Sequence, residues 1–135
     1  MASPKAFKIL FVDNSRTMRA VMMAMFQEHG YNVTTIGTAP EALEKLKSEP
    51  FDAVVMDLYM PMMNGYEAAK IIRSSNAPYK DIPLLALSAS EDPKDIDLCK
   101  SVGMNNFIRK TEDQKELFEI LEGYRQAQTP EVRKP

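Results

Sequence analysis

Two hydrophobic periods alternate along this chain. Five short apolar runs, at residues 7–12 (FKILFV), 31–36 (YNVTTI), 53–56 (AVVM), 84–87 (LLAL) and 106–108 (NFI), are each followed by a longer stretch. Runs this short predict strands, and the near-continuous ones predict strands covered on both faces. YNVTTI is more polar and predicts a strand nearer the sheet edge. Residues 17–29 place Met18, Val21, Met22 and Met25 at i, i+3, i+4 and i+7, which predicts a helix capped by Asn14 or Ser15 and stopped at Gly30. Methionines at that spacing are read as gap-filling core. Thr38-Ala39-Pro40-Glu41 is a capping-box sequence with proline in the first turn, opening a helix to residue 47 with Ala42, Leu43 and Leu46 inward. Asn64-Gly65-Tyr66-Glu67 opens another, to about residue 73, with Ala68, Ala69, Ile71 and Ile72 as apolar positions. Residues 74–83 carry two prolines and are read as loop. Asp92-Pro93 begins a fourth helix that Gly103 ends. Thr111-Glu112-Asp113-Gln114 caps a fifth, whose stripe is Leu117, Ile120, Leu121 and Tyr124.

Five strand-then-helix units predict an α/β fold: a doubly wound, five-stranded, all-parallel sheet with helices on both faces. The expected layout is a single domain over residues 7–126, an N-terminal extension at 1–6 and a flexible tail at 127–135.

Composition narrows the field rather than choosing within it. With 135 residues, 44% hydrophobic and 27% charged, the chain has the make-up of one soluble globular domain. A net charge of −2 and a pI near 5.5 argue against direct nucleic-acid binding. No apolar run reaches membrane-spanning length, MASPKAFK has no signal-peptide core, and the single Cys99 can form no internal disulfide. A cytoplasmic protein is expected. Cys99 reads as packing, and His29, beside Gly30, as a complement to a helix C-terminus.

The chemistry falls at the strand ends. Asp13 and Asn14 close the first strand, Asp57 the third and Ser88 the fourth, and Lys110 lies just past the fifth. In open α/β sheets the loops at the carboxyl ends of the strands converge, so Asp13 and Asp57 are expected to face each other near the topological switch point. Two close carboxylates repel unless a proton or cation relieves them, and a hard divalent cation such as Mg²⁺ suits oxygen ligands while keeping waters for an incoming phosphate. A nucleophilic acid, a metal, a hydroxyl and a lysine are the parts needed to take up a phosphoryl group on a carboxylate.

Four motifs, ILFVDNSRTMR, MDLYMPMMNGYE, LSAS and NNFIRK, occur in that order. The second is the most specific, an Asp followed three and four residues later by Met-Pro and eight later by Gly. With these motifs the chain resembles the receiver domain of two-component response regulators, free-standing or excised from a hybrid histidine kinase. The resemblance implies the CheY-like (flavodoxin-like) fold with strand order 2-1-3-4-5. It implies Asp57 as phosphoacceptor and Asp13 as one of an acidic pair. Ser88 would be the hydroxyl that turns towards the phosphoryl group, Lys110 its cationic partner, Phe107 the aromatic whose burial changes, and the Tyr59 backbone carbonyl a metal ligand. Mg²⁺, or Mn²⁺ in its place, would be held by Asp13, Asp57, Tyr59 and more weakly by Asn14. The implied partners are a histidine kinase or histidine phosphotransfer protein, and a downstream protein at the face of the fourth helix, fifth strand and fifth helix. Self-phosphorylation from phosphohistidine and slow autodephosphorylation would be its only turnover.

Two positions depart from the pattern. Asn14 stands where the family has a second acid, which predicts weaker Mg²⁺ binding. Thr111 stands where proline follows the lysine, which predicts a trans bond there, since a non-proline cis peptide costs roughly 2.5–4 kcal/mol. On these two residues rests a second reading, a pseudo-receiver acting as an interaction scaffold. A flavodoxin-like cofactor binder would need a Ser/Thr/Gly-rich phosphate loop after the first strand, and DNSRTMR is not one.

Overall fold

The computed structural model describes residues 6–90 and 92–128. In chain order the elements are β1 (Lys8–Val12), α1 (Arg16–Glu28), β2 (Asn32–Ile36), α2 (Ala39–Ser48), β3 (Ala53–Met56), α3 (Gly65–Ser74), β4 (Leu84–Ser88), α4 (Pro93–Ser101), β5 (Asn106–Arg109) and α5 (Lys115–Ala127). The strands form one parallel sheet in the order β2-β1-β3-β4-β5. The more polar β2 is an edge strand, as its composition predicts.

Strand alternation sorts the core into two layers. Ile9 and Phe11 of β1, Ala53 and Val55 of β3, and Leu85 and Leu87 of β4 pack with Met22 and Phe26 of α1 and Leu117 and Leu121 of α5. Leu10, Val12, Val54, Met56, Leu84 and Ala86 face the other way, against Ala42 and Leu46 of α2, Ala68 and Ile72 of α3, and Cys99 of α4. Both faces are therefore apolar along β1, β3 and β4, which is why their sequences read as continuous runs.

The helix starts follow the predicted chemistry with local changes. Ser15, not Asn14, caps α1, accepting from the Met18 N–H at 3.1 Å. At α3 the box is complete: the Asn64 side chain accepts from the Glu67 N–H at 2.9 Å and the Glu67 carboxylate from the Asn64 N–H at 3.0 Å. At α2 the Thr38 hydroxyl accepts from the Glu41 N–H, but the Glu41 carboxylate takes the Thr38 hydroxyl instead of its N–H. The α5 cap is Gln114, in a left-handed conformation without a side-chain cap bond; Asp113 accepts from the Lys115 N–H instead. Two apolar residues assigned to packed faces lie outward, Val21 at 48% and Ile71 at 44% exposure. Phe26 and Phe118 complete the α1 and α5 faces in the core. The α5 helix continues through Ala127, past the start of the expected tail, whose residues 129–135 lie outside the described residues, as do residues 1–5 of the extension.

Candidate functional site

The carboxyl ends of β1 and β3 are adjacent, because these strands pair directly with Val12 opposite Met56. The ladder continues one residue further, with the Asp57 N–H donating to the Val12 carbonyl at 2.9 Å and the Asp13 N–H to the Ile36 carbonyl at 3.1 Å. Both acids are thus fixed by the sheet at the backbone. Asp13 is fixed further. Its Oδ1 accepts from the Ser15 N–H at 2.9 Å, and its carbonyl accepts from Arg19 Nη1 at 2.8 Å.

Lys110 reaches this pair from the end of β5. Its backbone N–H donates to the Ser88 carbonyl at 2.8 Å, and its Nζ lies 3.3 Å from Asp13 Oδ2 and 3.5 Å from Asp57 Oδ2. One ammonium therefore bridges two carboxylates from residues 44 positions apart in sequence, both of them largely buried. The peptide bond to Thr111 is trans, there being no cis bond among the described residues.

Asp57 is the less satisfied acid. Besides the long lysine contact it accepts, among the described residues, only from the Tyr59 N–H, at 3.3 Å. Burial pushes its carboxyl above the ordinary range; the Lys110 charge and the Tyr59 N–H pull it back, and the Asp13 charge adds to the upward push. Glycine at position 65 keeps this loop close to α3. A Cβ there would stand 2.8 Å from the Asp57 carbonyl oxygen and 3.1 Å from Leu58 Cα, so any side chain would displace backbone. The glycine eight residues after Asp57 thus has a steric cause.

The other predicted residues surround this centre at different removes. Ser88 is buried at the end of β4, and its Oγ accepts from the Ser90 N–H at 3.1 Å. Phe107 is half-buried on β5, against the core layer that includes Cys99 and Met104 of the α4 side. Asn14 is exposed. Among the described residues no group of three His, Cys, Asp or Glu side chains could hold a metal ion. The oxygen donors that the structure brings together here are the carboxylates of Asp13 and Asp57. That all-oxygen set, carrying two like charges, fits a hard cation such as Mg²⁺.

Sequence reasoning missed a second carboxylate cluster next to the first. Asp95, in the first turn of α4, accepts from three hydroxyls: Tyr59 and Tyr66 at Oδ1, the latter at 2.9 Å, and Ser90 at Oδ2. The hydrogen bonds from Ser90 and Tyr59 hold its carboxyl below the usual carboxylate range. The Tyr59 and Tyr66 rings meet edge to face at 6.4 Å. His29, read as a helix-end residue, has its Nδ1 2.9 Å from the Met25 carbonyl and its ring stacked on Phe118 at 3.7 Å.

A family model for the response regulator receiver domain matches residues 9–122. The CAI-1 autoinducer sensor kinase/phosphatase CqsS of Vibrio cholerae is 34% identical over 111 residues, covering 82% of this chain and 16% of that protein. The chain spans 15–17% of the length of the sensor proteins it matches first. Among solved structures, the Vibrio cholerae chemotaxis response regulator CheY4 superposes with a TM-score of 0.81 at 31% identity, over 89% of this chain and 99% of that one. The receiver domain of the sensor histidine kinase PA1611 of Pseudomonas aeruginosa PAO1, which holds a magnesium ion in its active-site cleft, gives 0.80 at 29% identity, over 90% of this chain and 98% of that one.

Proposed function

We propose, from the premise that this chain belongs to the response regulator receiver domain family, that Asp57 accepts a phosphoryl group and that the acyl phosphate so formed switches a protein-binding surface. The observation that carries this reading is the Lys110 ammonium bridging Asp13 and Asp57 at the sheet edge. An Asp57 oxygen attacks phosphorus in a phosphohistidine; the P–N bond breaks, and its electron pair leaves with the imidazole. Lys110 offsets charge on the transferred group, and the Tyr59 N–H holds the other Asp57 oxygen in place. Mg²⁺, with Mn²⁺ as a substitute, would be held by Asp13, Asp57, the Tyr59 carbonyl and the Asn14 amide, and supplies neutralisation of the carboxylate and phosphoryl oxygens.

The phosphoaspartate adds charge and acceptor oxygens beside Ser88 and Lys110. Drawing the Ser88 hydroxyl to them takes it from the Ser90 N–H and biases Phe107 between packed and exposed positions. The donor is a histidine kinase or a histidine phosphotransfer protein, and the output surface is formed by α4, β5 and α5. A cytoplasmic setting fits the single buried thiol of Cys99, and no described helix is long and apolar enough to cross a membrane. Turnover is limited to self-phosphorylation and slow loss of the phosphoryl group to water. No observation favours a scaffold that has lost the chemistry. Acetyl phosphate with Mg²⁺, followed by intact-mass measurement, should add one phosphoryl group to the parent and none to Asp57→Ala. A parent that gains no mass under any phosphodonor overturns the reading.

A further inference from the structure

The cluster around Asp95 joins three segments to the start of α4. Tyr59 comes from the loop that carries Asp57, Tyr66 from α3, and Ser90 from the loop that follows Ser88. Asp95 itself is on α4, on the output side of the molecule. Ser90 is also the residue whose N–H holds the Ser88 hydroxyl, at 3.1 Å. The chain of contacts therefore runs from Ser88 through Ser90 and Asp95 to Tyr59, two residues beyond the phosphoacceptor. Ser88 is 1% exposed, and turning its hydroxyl towards Asp57 gives up the bond from the Ser90 N–H. The Ser90 side chain in turn ties that loop to Asp95.

We propose that Asp95 is a positioning residue that clasps the two loops beside Asp57 to the start of α4 and so favours the unphosphorylated arrangement. This rests on the reading of Asp57 as the phosphoacceptor. The clasp and the phosphoryl group then compete for the same loop. Contacts made in only one of two states shift the balance by their full worth, and contacts made equally in both shift nothing.

The test uses beryllofluoride with Mg²⁺ as a phosphoryl mimic, titrated into the whole chain and followed by amide NMR. Tyr59→Phe removes one hydroxyl from a ring that is 56% exposed, leaving no cavity. Ser90→Ala cuts the opposite arm. Each should tighten beryllofluoride binding about three- to tenfold, the worth of one net hydrogen bond. The double variant should gain less than the product of the two single effects, because both arms act through one carboxylate. In an Asp95→Ala background Tyr59→Phe should have no further effect; if that background does not fold, the Tyr59→Phe and Ser90→Ala pair decides alone. A purely structural cluster would lower Tm and leave the affinity alone. Affinities within twofold of the parent, or weaker, overturn the clasp while leaving the phosphoacceptor reading standing. A parent that binds no beryllofluoride overturns both.

Discussion

Two carboxylates at the carboxyl edge of this sheet, joined through Tyr59, have opposite characters. Asp95 is saturated: three hydroxyls donate to its two oxygens, and its carboxyl is held below the ordinary range. Asp57 is also largely buried, yet it has one N–H at 3.3 Å and one shared ammonium at 3.5 Å, and burial pushes its carboxyl up. Burial leads the upward push on Asp57, whereas hydroxyl donors outweigh it at Asp95. The difference is how far donors compensate the lost hydration. A saturated carboxylate ties elements together and has little left to offer. An undersupplied one leaves lone pairs without strong donors, and it bears that cost in the resting protein. Tyr59 belongs to both, its N–H serving Asp57 and its hydroxyl serving Asp95.

The contrast breaks most visibly in stability. Asp95→Ala removes the acceptor of the Tyr66 hydroxyl, on a residue only 7% exposed, as well as the link between the loops. A loss of about 1–3 kcal/mol is expected, read from urea unfolding at neutral pH. Asp57→Ala should show no loss of that size. Equal losses at the two positions would mean that the carboxylates do not differ as their partners indicate.

A smaller effect sharpens the site side of the comparison. If Asp57 and Asp13 are short of positive charge rather than of ligands, a third carboxylate at position 14 should strengthen the hold on a divalent cation. Asn14→Asp is expected to tighten Mg²⁺ binding by about tenfold, a modest gain because the residue is exposed and water screens it. Amide NMR titration reports it through the Asp13 and Asp57 signals. An unchanged affinity would place the side chain at 14 away from the metal.

The two regions also differ in how well the sequence foretold them. Asp13, Asp57 and Lys110 were legible because apolar runs end on polar residues and an α/β sheet gathers such ends at one edge. The Asp95 cluster was not. In EDPKDID the acid at 95 reads as ordinary first-turn charge on a solvated helix start, and nothing local announces hydroxyls from residues 59, 66 and 90. The helix faces show a milder form of the same limit. Spacing put Val21 and Ile71 on apolar arcs, but each neighbour covers a narrower arc than the apolar residues occupy. Extending the row from Met18 and Met22 by four more residues reaches Phe26, which lies in the core while Val21 lies outward. Asn14 and Ser15 were equally good caps on paper, and only the backbone at Ser15 decided between them.

The smallest effect tests the opposed charge states directly, in protein kept free of divalent cations by a chelator. An unfolded aspartate loses its proton near pH 3.9. Folded Asp57 holds its proton to higher pH, so above that range the folded state carries an ionised group it disfavours, and the penalty fades as pH falls and the group protonates. Folded Asp95 releases its proton at lower pH than the unfolded chain does, so its contribution is full above the ordinary aspartate range and is lost as pH falls through the lowered value. Asp57→Asn should therefore raise Tm slightly at pH 7, on the order of 1–2 °C, and the gain should shrink towards pH 4. Asp95→Asn should lower Tm at pH 7, with a deficit that persists to pH 4 and narrows only below it. Differential scanning calorimetry of the parent and both variants across pH 3–8 gives the two difference curves. If they share a sign at neutral pH, the saturated and undersupplied carboxylates are not the opposites that their hydrogen bonds make them.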